Sequence, residues 1–190
     1  MTVTEKIMAT KNPIIEYLEA WSLLNVGETE KHFLTQRLKD ARPVECVRMQ
    51  AVFNDEQMAF LRHCYKAQQR MCYRNASELL RLIAEPGGAY WLFPEPALYV
   101  EGFVYSNGLF PIEHAFVKIG DRYIDPTFER ALKRDPRQEM YVSLIEIAPR
   151  ELLKLEGETG YYGEMYRYSY LKRFRPDLAA RMRDLNPNGK

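Results

Sequence analysis

From Pro13 onward the apolar residues Ile14, Ile15, Leu18, Trp21 and Leu24 recur at helical spacing, which predicts a helix running to about Leu24. Pro13 suits its first turn, where a missing backbone donor costs nothing. A second helix is predicted from about Glu28 to Lys39, stopped ahead of Pro43. Between Val44 and Phe53 apolar positions alternate, the pattern of a short strand. Asn54 or Asp55 can cap a further helix carrying Met58, Phe60, Leu61 and Tyr65. Beyond Cys72, the residues Ala76, Leu79, Leu80, Ile83 and Ala84 form another helical stripe, ended by Pro86-Gly87-Gly88.

The second half of the chain changes period. Ala97 to Tyr105 reads as a strand and Asn107-Gly108 as a turn. Glu113 to Ile119 and Arg122 to Ile124 flank Gly120-Asp121, a hairpin signal, and Tyr141 to Ile147 reads as another strand. After Ala148-Pro149-Arg150 the tail is helical in places, and its end, Asn186 to Lys190, is expected to fray. Helices first and a meandering sheet later imply an α+β fold: a helical N-terminal half packed on an antiparallel sheet, then a helical C-terminal tail.

The 190 residues suit one compact domain over 1–190, long enough to bury roughly 70% of its unfolded-chain surface. With 27 basic and 26 acidic side chains, the formal net charge of +1 argues against a protein built to neutralise a phosphate backbone. The basic stretch Arg167, Lys172, Arg173, Arg175, Arg181 and Arg183 is interrupted by Asp177 and Asp184, so nucleic acid is not an expected partner. No apolar run approaches the roughly 18 residues of a membrane span. Met1 to Asn12 lacks the apolar core of a secretory signal, and a soluble cytoplasmic protein without a membrane partner is expected. The three cysteines, Cys46, Cys64 and Cys72, are odd in number and lack CxxC spacing, which suits reduced thiols rather than a disulfide framework. Zinc usually wants close ligand pairs, and only His63-Cys64 come near, so neither a metal nor another cofactor is expected.

Chemistry concentrates at three positions. Cys72 falls at the start of a predicted helix, where unpaired N–H groups and the helix dipole favour thiolate over thiol. The same N–H groups can donate to an oxyanion forming on a substrate carbonyl. A two-residue Gly120-Asp121 turn would set Ile119 opposite Arg122, Lys118 opposite Tyr123 and Phe116 opposite Asp125. His114, Phe116, Tyr123 and Asp125 then share one face. His114 and Asp125 become diagonal cross-strand neighbours, about 7–8 Å apart at the backbone and closer at the side chains. One extra loop residue would put them on opposite faces.

Each residue also has a plainer reading. Most cysteines are inert core, Cys46 and Cys64 included. His114 can be a satisfied strand histidine, and Asp125 can simply cap the Asp125-Pro126-Thr127 turn. His32 and His63 read as surface residues on helices. Gly102 reads as a bulge and Glu101 as a partner for a nearby Arg, rather than as cleft residues. Tyr161, Tyr162, Tyr166, Tyr168 and Tyr170 read as core packing before they read as a partner surface.

Cys72-Tyr73-Arg74-Asn75-Ala76 opening a helix, Tyr99-Val100-Glu101-Gly102-Phe103, Glu113-His114-Ala115-Phe116 and Tyr123-Ile124-Asp125-Pro126-Thr127 resemble the core of transglutaminase-like cysteine enzymes. That group is a branch of the papain-like superfamily, found in bacteria and phages among other places. The resemblance covers roughly residues 70–128, about a third of the chain. It implies a papain-like core and a Cys-His-Asp triad acting on an amide of a protein or peptide, as a peptidase, deamidase or transglutaminase. Cys72 would be the nucleophile, His114 the general base and later acid, and Asp125 the orienting carboxylate. Phe116 stands where the family often has Trp, which keeps an aromatic wall and loses an indole donor. No motif fixes the oxyanion side chain: Gln69, Gln68 and Asn75 are candidates, with Gln69 preferred because it lies just upstream of Cys72. The alternative is a non-catalytic binding or inhibitor module on the same scaffold.

Overall fold

The computed structural model describes residues 12–85, 87–106 and 110–184. Asn12 caps helix α1 (Pro13–Ser22), its Oδ1 accepting from the N–H groups of Ile14 and Ile15 at 2.9 and 3.4 Å. Helix α2 (Glu28–Asp40) buries Phe33, Leu34 and Arg37. Asn54 closes a capping box with Gln57 at the head of α3 (Asp55–Cys64). Helix α4 (Cys72–Ala84) buries Ala76, Leu79, Leu80 and Ile83 along one stripe. Helices α5 (Pro149–Thr159), α6 (Met165–Phe174) and α7 (Pro176–Asp184) follow the last strand.

Strands β1 (Arg42–Val44), β2 (Cys46–Val47), β3 (Ala97–Tyr105), β4 (Ile112–Ile119), β5 (Arg122–Ile124) and β6 (Met140–Ile147) form a sheet ordered β1-β6-β3-β4-β5-β2. The fold is therefore α+β, with helices and a six-stranded sheet. The sheet is not wholly antiparallel as expected, because β2 joins β5 in parallel. The strand predicted over 44–53 is also corrected. Its residues split between β1 and β2, which lie on opposite edges of the sheet, and a 3₁₀ turn at Met49–Ala51 follows. Glu45 alone separates the two edge strands. A single residue spans only about 3.5 Å, so the sheet must curl until its edges approach.

Cys46, Val100, Val104, Phe116, Phe128 and Tyr141 fill the hollow of that curl. The larger core packs the α4 stripe against Tyr99, Ala115, Val117 and Ile119. The C-terminal helices belong to this core. Tyr166, Tyr168 and Tyr170 are buried in it, while Tyr161 is half-buried and Tyr162 exposed. His32 and His63 are exposed, as read from the sequence. Among the described residues no helix is long and apolar enough to cross a membrane. The Asn107-Gly108 turn, Pro86 and the segments Met1–Lys11 and Leu185–Lys190 lie outside the described residues.

Candidate active site

The hairpin takes the predicted register, with Ile119 opposite Arg122, Lys118 opposite Tyr123 and Val117 opposite Ile124. Gly120 supplies the turn's positive φ of 59°, a conformation that glycine adopts without a Cβ clash. Strand β5 ends at Ile124, and the chain turns at Asp125-Pro126. His114 Nε2 and Asp125 Oδ2 stand 2.7 Å apart, with both side chains buried.

Asp125 accepts four hydrogen bonds. Its Oδ1 takes the backbone N–H groups of Thr127 and Phe128 at 2.9 and 3.1 Å. Its Oδ2 takes His114 Nε2 and the Tyr141 hydroxyl, the latter at 2.9 Å. The turn-capping role and the histidine-orienting role foreseen as alternatives thus coexist, one oxygen to each. An ionised carboxylate only accepts, so His114 Nε2 carries a proton. Cys72 lies near enough to the His114 ring to raise its pKa further. The ring is walled by Phe128 edge-on at 5.6 Å and by Phe116 stacked at 6.5 Å.

Burial opposes charging His114, but the Asp125 charge and hydrogen bond, followed by Cys72, outweigh it and raise the pKa from 6.5 to about 10. The imidazole is therefore positively charged at neutral pH. Burial, then the Asp125 charge, push the Tyr141 phenol up, so its hydroxyl stays a donor.

Cys72 is the first residue of α4 and is half-buried. No side chain caps this helix end. Its first backbone N–H groups have no partner within the helix and are free to meet a developing oxyanion. Cys46, by contrast, is buried in the hollow of the curl, and burial followed by Asp125 pushes its thiol well up. Cys64 is exposed at the end of α3.

Of the oxyanion candidates, Gln69 lies exposed in the turn ahead of Cys72, followed by Arg70 at φ 62°. Asn75 is a correction. Its Nδ2 donates to the Gln68 carbonyl at 2.7 Å and to Thr127 Oγ1 at 3.0 Å, and its Oδ1 accepts from the Gln68 N–H at 2.9 Å. Both amide protons are spent, so none remains for an oxyanion. Buried at 1% exposure, Asn75 ties the loop before Cys72 to the turn after Asp125. That loop is held again where the Tyr65 hydroxyl donates to the Asn75 carbonyl at 2.9 Å.

Gly102 stands opposite His114 across β3 and β4 and marks a register shift against β6, the bulge read from the sequence. Glu101 does not pair with an Arg. Its carboxylate accepts from Tyr99 Oη and from the N–H groups of Met165 and Tyr166, capping α6 from across the sheet. A tertiary cap of this kind leaves no local signal, and sequence reasoning missed it. Tyr141 was missed as well, because its partner lies 16 residues away through a fold-dependent contact.

A cavity of about 250 Å³ is lined by Arg37, Tyr73, Glu101, Gly102 and Glu113 among others, and none of Cys72, His114 and Asp125 lines it. Among the described residues no group of three or more His, Cys, Asp or Glu side chains is placed to hold a metal ion. No protein family, no curated protein and no solved structure matches this chain.

Proposed function

We propose that this protein is a cysteine-dependent acyl-transfer enzyme of the transglutaminase-like, papain-related kind, acting on an amide of a protein or peptide. The observation that carries the reading is the series Cys72, His114 and Asp125, with the last two buried and 2.7 Å apart and Cys72 near enough to the ring to raise its pKa. Such a series is the arrangement nucleophilic catalysis needs: a sulfur nucleophile, a proton carrier beside it, and a carboxylate that fixes the carrier's tautomer.

The Cys72 thiolate, paired with the protonated His114, attacks the carbonyl carbon, the C=O electron pair moves onto oxygen, and the helix N-terminus receives the oxyanion. His114, charged at neutral pH through Asp125, gives its proton to the departing nitrogen as the C–N bond breaks. A thioester on Cys72 remains. His114, now neutral, takes a proton from water or from an incoming amine as that group attacks, and the thiolate leaves. Water yields a carboxylic acid; an amine yields a new amide. Removing one oxyanion donor of this kind costs about 3–4 kcal/mol of barrier elsewhere, so the helix end and Gln69 carry weight in this scheme.

The test is thiol labelling with iodoacetamide at mildly acidic pH, read by peptide mapping, alongside Cys72→Ala. Cys72 is expected to react ahead of Cys46 and Cys64, and His114→Ala is expected to remove that advantage. Three thiols reacting alike, and only at alkaline pH, would leave a binding module on this scaffold. Ammonia release or peptide cleavage in protein extracts, wild type against Cys72→Ala, then separates deamidation from proteolysis.

A further inference from the structure

Side chains alternate along a strand, so Glu101 on β3 and Glu113 on β4 lie on the face of the sheet opposite His114. Both line the cavity of about 250 Å³, to which Trp21 of α1, Tyr73 of α4 and Tyr166 of α6 give aromatic walls. The cavity also gathers four carboxylates, Glu30, Glu101, Glu113 and Glu164, against two guanidiniums, Arg37 and Arg167. Both guanidiniums are already engaged. Arg37 pairs with Glu113, and Arg167 stands 3.9 Å from Glu30. Glu101 and Glu164 are left without a cationic partner among the described residues.

Glu101 is 4% exposed, yet every group that donates to its carboxylate is neutral. Oε1 accepts from Tyr99 Oη at 2.8 Å and from the Met165 N–H at 3.0 Å. Oε2 accepts from the Tyr166 N–H at 2.8 Å. A carboxylate oxygen can take about two donors, so Oε2 keeps one place open. A buried carboxylate without a counter-ion is costly, and burial accordingly raises the Glu101 pKa to about 7. An anion entering the cavity would meet a surplus of negative charge. A neutral ligand would leave Glu101 without a counter-ion. A cation meets both conditions, and aromatic faces attract cations as well. The volume lies below the roughly 300–1,000 Å³ of pockets for drug-sized ligands, so the occupant is small.

We propose that this cavity binds a small aliphatic amine, its ammonium group donating to Glu101 Oε2 and its chain lying against Trp21 and Tyr73. The site stands apart from the triad and does not depend on the acyl-transfer reading.

Butylammonium chloride, with butyrate and 1-butanol as its anionic and neutral matches, tests this by ¹⁵N NMR at constant ionic strength. The Met165 and Tyr166 amides, which donate to Glu101, are expected to move with butylammonium and with neither match. Apart from Glu101, the charged groups of the cavity are Glu30, Arg37, Glu113, Glu164 and Arg167. Burial pushes the Tyr73, Tyr99 and Tyr166 phenols up, so they stay neutral. Butylammonium is then expected to bind roughly tenfold more weakly at pH 6 than at pH 8, because about a tenth of Glu101 is ionised at the lower pH. Glu101→Gln should remove that pH dependence and most of the affinity. Glu164→Gln, at an exposed position, should weaken binding and keep the pH dependence. Nα-acetyl-lysine amide carries the same ammonium on a peptide unit. Tighter binding of it than of butylammonium would assign the cavity to a lysine side chain, and weaker binding to a free amine. Amides that stay still with both amines, or that move as much with butyrate, would overturn the proposal. So would a butylammonium affinity that Glu101→Gln leaves unchanged.

Discussion

Tyr141 and His114 donate to the same oxygen of Asp125, at 2.9 and 2.7 Å. The tyrosine comes from β6 and the histidine from β4, so two non-adjacent strands of the curled sheet converge on one carboxylate. Tyr141→Phe removes one donor and leaves the ring of the side chain in the core. A hydrogen bond to a buried charged group is worth about 1.5–3 kcal/mol, and a loss of that size is expected in urea unfolding. The iodoacetamide rate at Cys72 should fall as well, because Asp125 Oδ2 then has His114 as its one remaining donor and holds the ring less firmly. A stability loss with an unchanged Cys72 rate would reduce Tyr141 to a packing residue.

The raised pKa of His114 can be read directly by NMR. The ring is expected to titrate near pH 10 in the wild type. Asp125→Asn and Cys72→Ala each remove a group that raises it, so each variant should titrate lower. The linkage has a definite sign. A histidine whose folded value is raised adds stability that is complete below about pH 6.5 and is lost as pH rises through about 10. Asp125→Asn should flatten the wild-type decline in melting temperature over that window. A wild-type ring that titrates near 6.5 would dismiss the ion pair.

Much of this site was legible because a strand has a period of two and the Gly120-Asp121 turn has two residues. Those facts place His114 and Asp125 on one face, and the observed pairs at Ile119, Lys118 and Val117 follow the predicted register. The start of α3 was legible for a similar reason, since Asn54 caps through a bond spanning three residues. What escaped depends on contacts across the chain. Asn75 looks like any polar residue one turn into a helix until Gln68 and Thr127 are seen around it. The apparent strand at 44–53 fails for the same reason. Alternation cannot tell that Val44 belongs to one edge of a curled sheet and Cys46 to the other.

Asn75→Ala would strip the loop before Cys72 of its backbone clamp and leave the Gln68 N–H and carbonyl without that partner. Gln68 is exposed and water can take over its groups, while the buried Thr127 hydroxyl loses a donor, so a loss of about 1–3 kcal/mol in urea unfolding is expected. Hydrogen exchange should rise across 66–71 before any other segment. Asn75→Asp keeps the oxygen that accepts from Gln68 but loses both donors, and should fall between wild type and Ala at mildly acidic pH. A protected loop in the Ala variant would contradict the clamp.

Gly102 faces a harder constraint. A Cβ added there would stand 1.8 Å from the Val142 carbonyl oxygen, a backbone atom with no rotamer to change. Gly102→Ala must therefore push β3 from β6 at the bulge opposite His114. Strain and overpacking of this order commonly cost about 1–3 kcal/mol or more, and the denaturant midpoint should drop accordingly. Gly157, which has open space around it, is the matched control, and its Ala variant should keep or gain stability.

Glu101 gives the fold a second pH dependence. Burial raises its pKa to about 7 against the pull of the Tyr166 and Met165 N–H groups and the Tyr99 hydroxyl. A carboxyl with a raised folded value holds its proton more tightly folded than unfolded. Its contribution is complete below about pH 4.5 and is lost as pH rises through about 7. A shift of this size corresponds to a few kcal/mol at about 1.4 kcal/mol per unit. Glu101→Gln keeps an oxygen for the α6 N–H groups and cannot ionise. Between pH 5 and 8 the wild type is expected to lose melting temperature relative to this variant, the gap closing or reversing toward pH 5. Parallel curves for the two proteins would mean that the carboxyl stays in one protonation state across the range.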